Sequence, residues 1–121
     1  MPEKKIVVVD DDESIRKTFF LLLSEKYNVY LARDAGEALA RFEKAQVDMI
    51  IADLRLPQKD GLQMAFDFRK SGYKGRIILI SACADQVRPE DLEKLGVDRL
   101  FIKPLDLSLL TETIDLLLSG N

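Results

Sequence analysis

Apolar residues fall into five short runs along the chain, at positions 6–9, 29–32, 49–52, 77–80 and 100–102. Each run is strand-sized and rich in β-branched or aromatic side chains, which suit a pleated, buried surface. The stretches between them carry a helical period instead. Ile15, Phe19, Leu22 and Leu23 share one face with Thr18 between them, and Ala35, Ala38, Leu39 and Phe42 do the same in the next stretch. That second stretch opens with Asp34 three residues before Glu37, a capping-box spacing with Asp in the Ser/Thr role. Leu62, Ala65 and Phe66 mark a third helix, and a short fourth starts near Pro89 and stops at Gly96. Leu107, Leu110, Ile114 and Leu117 mark a fifth. Strands that alternate with helices need right-handed crossovers, so the reading is an α/β protein with a five-stranded parallel sheet, doubly wound and covered on both faces. Burial on both faces explains why the first and third runs are apolar without alternation.

Composition narrows the functional classes. A chain of 121 residues, 47% hydrophobic and 32% charged, is expected to form one globular domain over 1–121. The net charge of −3, with no basic cluster, argues against nucleic-acid binding, and no apolar segment is long enough for membrane insertion. The single Cys83 and the start without a signal peptide point to a reducing cytoplasm. With no His and no Trp, His-based acid/base catalysis, Ser-His-Asp triads and His-ligated zinc are excluded.

In open parallel sheets the binding crevice lies beyond the carboxyl ends of the strands. Those ends carry Asp10, Asp11 and Asp12, then Asp53, then Ser81, then Lys103 followed by Pro104. Consecutive acids facing a fourth repel one another unless a cation neutralises them, and an all-oxygen donor set points to Mg²⁺ or Mn²⁺. Asp12 reads as a helix cap, which leaves Asp10 and Asp11 as the metal candidates. Asp53 taken alone is an ordinary cap or ion-pair residue; beside a Mg²⁺ site it is a candidate carboxylate nucleophile forming an aspartyl phosphate. Lys103 is either a solvated lysine or a point charge on phosphate oxygens, and Ser81 either a commonplace strand-end serine or a donor to a phosphoryl group. Metal, serine and lysine together would surround the oxygens of a transferring phosphoryl group.

With these residues in this order, residues 5–118 resemble the receiver domain of bacterial two-component response regulators, the family of the chemotaxis response regulator. The carriers are Val7 to Asp12, Asp53-Leu54-Arg55-Leu56-Pro57 with Asp60-Gly61, Ser81-Ala82 and Lys103-Pro104. The resemblance implies a flavodoxin-like (βα)₅ three-layer sandwich with strand order 2-1-3-4-5. It implies that Asp53 accepts phosphate from a sensor histidine kinase or a histidine phosphotransfer protein, and that the domain is a switch for an output partner or effector domain rather than an enzyme acting on other substrates. Asp10, Asp11 and Asp53 would hold Mg²⁺ with the backbone carbonyl of Arg55. Ser81, Ala82 and Lys103 would contact the phosphoryl group, and the Lys103–Pro104 peptide is a cis candidate.

Three other readings fit less well. A phosphohydrolase of the haloacid dehalogenase type needs a second Asp where Arg55 stands, and the acidic loop after the first strand would repel the phosphate of a flavin. A receiver kept only as a docking surface would not need the complete set Asp10, Asp11, Asp53, Ser81 and Lys103. One position departs from the family: many receivers carry Tyr or Phe three residues before the lysine, where this chain has Leu100. Phe101 points to the opposite face of the sheet and is expected to pack under a covering helix. The signal is therefore expected to leave through the loop after Ser81 and the helix from 89 to 95. Phe19, Phe42, Phe66 and Phe68 are expected in the core, with Phe68 off the main stripe of its helix. Gly61, Gly72 and Gly96 are read as turn or helix-end residues, and Cys83 as a bystander at the rim.

Overall fold

The computed structural model describes residues 3–83, 85 and 87–119. Strands and helices alternate along the chain: β1 (Lys5–Val9), α1 (Glu13–Leu23), β2 (Asn28–Ala32), α2 (Ala35–Phe42), β3 (Met49–Asp53), α3 (Gly61–Lys70), β4 (Arg76–Ser81), α4 (Pro89–Leu95), β5 (Arg99–Ile102) and α5 (Leu107–Ser119). All neighbouring strands are parallel, in the order β2-β1-β3-β4-β5. The expected topology is therefore the observed one. Four strands begin one residue before their apolar run, at Lys5, Asn28, Arg76 and Arg99, because ladder bonds extend past the residues that burial selects.

The sheet separates two cores. Val7, Val9, Ile50, Ala52, Ile77 and Leu79 face α2 and α3, meeting Ala35, Ala38, Phe42, Met64 and Phe68. Ile6, Val8, Met49, Ile51, Ile78 and Ile80 face α1 and α5, meeting Phe19, Leu23, Leu110, Ile114 and Leu118. Each central strand thus feeds alternate residues to opposite layers, and neither face is left for water. Phe101 joins the α1/α5 layer and Leu100 the other, as the strand alternation requires.

Two helix faces differ from the sequence reading. Along α3 the buried residues are Gly61, Met64, Ala65 and Phe68, whereas Phe66 is 53% exposed. Phe68 is therefore core and Phe66 is not. The rotation of α3 is set at its first residue: Gly61 lies so close to β3 that a Cβ there would fall 2.7 Å from the Asp53 carbonyl oxygen. With Gly61 turned inward, the stripe three, four and seven residues on turns inward too. Along α5 the buried set is Leu110, Thr113, Ile114 and Leu118, while Leu107 is exposed and Leu117 packs at the edge. Thr113 can be buried because its hydroxyl donates to the Leu109 carbonyl.

Candidate functional site

Every strand-end residue singled out by pattern arrives at one edge of the sheet. A cleft of about 500 Å³ is lined there by Asp10, Asp11, Asp53, Arg55, Ala82 and Lys103. A larger groove of about 650 Å³ between α3 and α4 contains Leu62, Phe66, Asp91 and Lys94. Its acids are already committed, Asp60 to capping α3 and Asp91 to an ion pair with Arg88.

The acidic loop is built from short local bonds. The Asp10 N–H donates to the Ala32 carbonyl, continuing the β1–β2 ladder one residue past the strand. Its carboxylate Oδ1 accepts from the Asp12 N–H at 2.9 Å, and the Asp12 carboxylate accepts from the Ser14 N–H as the cap of α1. Asp12 is thus a cap, as its position suggests. Arg16, one turn into α1, donates to the Asp10 carbonyl at 2.7 Å and pins the loop from the helix side. Asp10 is buried while Asp11 stands exposed beside it.

Asp53 ends β3 with only 7% of its surface exposed. Oδ1 accepts the Arg55 N–H at 2.9 Å, and Oδ2 accepts the Lys103 ammonium at 2.7 Å. Lys103 reaches it because β5 is tied to β4, its own N–H donating to the Ser81 carbonyl. The peptide between Lys103 and Pro104 is cis. Ser81 is buried, and its hydroxyl donates to the Cys83 carbonyl while accepting from the Cys83 N–H. The hydroxyl that pattern aims at a phosphoryl group thus also closes the first turn of the β4–α4 loop. Cys83 is exposed, with a free thiol.

The charges do not balance. Burial, above all, raises the Asp10 pKa from its ordinary value; the Asp12 N–H opposes this, Asp53 adds to it, Lys103 opposes it and Asp11 adds again. The Lys103 pKa is raised chiefly by its bond to Asp53, against desolvation, with Asp53, Asp10 and Asp11 adding Coulomb attraction. Among the described residues, Lys103 and Arg55 are the cations lining the cleft, against Asp10, Asp11, Asp12 and Asp53, so a further cation has a place there. Among the described residues no three acidic, cysteine or histidine side chains converge as a ready-made cage. The donor set is a few hard oxygens opening on water, and this fits Mg²⁺, which keeps several waters and takes one or two carboxylates.

Two contributors were not legible in the residue pattern. Arg16 gives no sequence signal beyond its place one turn into a helix, and Gly61 reads only as a turn residue. Yet the Gly61 N–H donates to the Leu54 carbonyl at 2.8 Å, holding α3 against the backbone that carries Asp53. A Cβ at 61 would also lie 3.0 Å from the Leu54 Cα. Gly61→Ala is expected to cost roughly 1–3 kcal/mol through overpacking against backbone that cannot step aside. Urea denaturation measures this, and a variant as stable as the parent would show that the loop yields freely.

Comparison with known proteins agrees with this fold. The family model described as response regulator receiver domain matches residues 6–115. The chain is 30% identical over 114 residues to the response regulator RR06 of Streptococcus pneumoniae, covering 93% of this chain and 52% of that protein. It is also 30% identical over 116 residues to the CAI-1 autoinducer sensor kinase/phosphatase CqsS of Vibrio cholerae, of which it spans 17%. Among solved structures, the response regulator TrrA of Thermotoga maritima, in complex with Mg²⁺ and BeF, aligns with TM-score 0.82 and 32% identity over 96% of this chain and all (100%) of that one. The chemotaxis response regulator CheY4 of Vibrio cholerae aligns with TM-score 0.84 and 27% identity, over 95% of this chain and 98% of that one.

Proposed function

Because this chain belongs to the response regulator receiver family, whose members are phosphorylation-dependent switches of two-component signalling, we propose that Asp53 is its phosphoacceptor and that the cleft around it is the phosphotransfer site. The observation that carries the proposal is the buried Asp53 carboxylate, held between the Arg55 N–H and the Lys103 ammonium and facing an acidic loop across an open cleft.

On this reading an Asp53 carboxylate oxygen attacks the phosphorus of a phosphohistidine on a sensor histidine kinase or histidine phosphotransfer protein. The O–P bond forms as the N–P bond breaks, and the imidazole leaves. Asp10, Asp11 and Asp53 with the Arg55 carbonyl would hold Mg²⁺, or Mn²⁺ in its place, which would neutralise the phosphoryl oxygens. Lys103 passes from Asp53 Oδ2 to a phosphoryl oxygen as a point charge. Ser81 exchanges its bond to the Cys83 carbonyl for one to the phosphoryl group, and Ala82 moves in with it. That exchange frees the first turn of the β4–α4 loop, which couples chemistry to shape. With Leu100 at the position where many receivers carry an aromatic ring, the change leaves through this loop and α4 to an output partner or effector domain. The domain, read as one receiver over 1–121, catalyses only its own phosphorylation and dephosphorylation. Its location is the cytoplasm, and no helix among the described residues is long and apolar enough to cross a membrane.

Incubation with acetyl phosphate and Mg²⁺, followed by intact mass measurement, tests the proposal. One added phosphoryl group, lost on brief alkaline treatment, is the expected result. No gain in mass, or a gain that survives alkali, would overturn it.

A further inference from the structure

Among the described residues, helix α4 is held to the molecule unequally at its two ends. It has seven residues, none of them buried. Its N-terminus has no side-chain cap, whereas α1, α2 and α3 are each capped by an aspartate, Asp12, Asp34 and Asp60. Among the described residues, what precedes α4 is fastened by the buried Val87, an apolar contact, and the Arg88 side chain pairs with Asp91 within the helix itself. Apolar contacts have no preferred direction, so they allow a segment to slide or turn while it stays buried.

The C-terminal end is gripped by directional bonds. Arg69, in the last turn of α3, donates from Nε to the Leu95 carbonyl at 2.7 Å and from Nη2 to the Gly96 carbonyl at 2.9 Å. These belong to the terminal carbonyls that a helix cannot satisfy internally, and the helix dipole places its negative end there. The same guanidinium is rooted on its other side, where Nη1 donates to the Tyr73 and Gly75 carbonyls at 3.0 and 2.9 Å. It also lies over the Tyr73 ring, which meets the fully buried Phe68 edge-on. The fit leaves little room: Gly96 ends α4 in the left-handed region at φ 65°, and a Cβ there would lie 3.3 Å from Arg69 Nη2. Just beyond, Asp98 is sewn to β4 through Ile77 on both its N–H and its carboxylate.

We propose that Arg69 is the pivot of α4, a positioning residue whose planar fork holds the C-terminal end of the helix fixed while the Ser81 loop moves the N-terminal end. The inference rests on the reading above, in which the signal leaves through that loop. A pull applied at one end of a short rod that is bonded at the other becomes a swing, not a translation. A lysine cannot replace the fork, since one ammonium does not span four carbonyls on two segments, 73–75 and 95–96.

The test compares wild type with Arg69→Met and Arg69→Lys by amide NMR and hydrogen exchange, with and without Mg²⁺ and beryllofluoride as phosphate mimic. In wild type the mimic is expected to shift amides from 82 to 91 strongly and to leave those of Leu95, Gly96 and Val97 nearly still. In Arg69→Met the shifts are expected to run on through Val97. Exchange at Gly96 and Val97 should then quicken about tenfold or more even without the mimic, while that of β1 and β3 holds. Arg69→Lys should fall between, and it serves alone should the methionine variant fold too weakly to study. A wild type that ignores the mimic overturns the functional reading and the pivot with it. Variants that respond to the mimic with the wild-type profile, or that exchange faster uniformly across the sheet, overturn the pivot alone.

Discussion

Asp53→Asn is expected to abolish phosphoryl labelling by acetyl phosphate while leaving the fold in place. The amide keeps the shape of the carboxylate and one acceptor for the Arg55 N–H, which bonds Asp53 Oδ1 at 2.9 Å. What it loses is the nucleophile, because an amide oxygen does not form a phosphoryl ester under these conditions. It also loses the ion pair with Lys103, whose side chain is 44% exposed, so that solvent screening limits the loss of stability to about 1 kcal/mol or less. Intact mass and far-UV circular dichroism measured on the same sample separate the two effects. A folded variant that still gains one alkali-labile phosphoryl group would move the acceptor elsewhere.

The largest loss of stability is expected from Phe68→Ala, about 3–5 kcal/mol, against under about 1 kcal/mol for Phe66→Ala two residues earlier. Phe68 is completely buried and meets Tyr73 with ring centroids 5.7 Å apart. Its removal leaves a cavity beneath the ring on which Arg69 rests. Phe66 is 53% exposed on the opposite side of α3, with the Lys70 ammonium 6.0 Å above its ring. Chemical denaturation of both variants gives the comparison directly. Equal losses would mean that α3 is rotated so that both rings share the core.

The contrast between these two phenylalanines marks how far one chain of letters carries. Five apolar runs and the helical periods between them determine a doubly wound parallel sheet, because in such a sheet only strands buried on both faces read as unbroken runs. The same rule placed Asp10, Asp11, Asp53, Ser81 and Lys103 together, since strand ends of a parallel sheet share one edge. Asp12 as a cap and the Asp34 cap of α2 were also legible, because capping is a local bond within three residues. The faces of α3 and α5 were not. Leu62, Ala65 and Phe66 make as good a local stripe as Met64, Ala65 and Phe68, and only the contact of Gly61 with the Asp53 backbone decides between them. The Arg16 bond to the Asp10 carbonyl and the Arg69 grip on α4 belong to the same class. Each depends on where a backbone carbonyl comes to lie. Side-chain type and period are written along the chain, so they determined the fold and which candidate residues meet at the edge of the sheet. The direction of carbonyls and the rotation of helices arise only when distant segments pack, and for that reason the tertiary structure alone decided which residues hold the site and α4 in place.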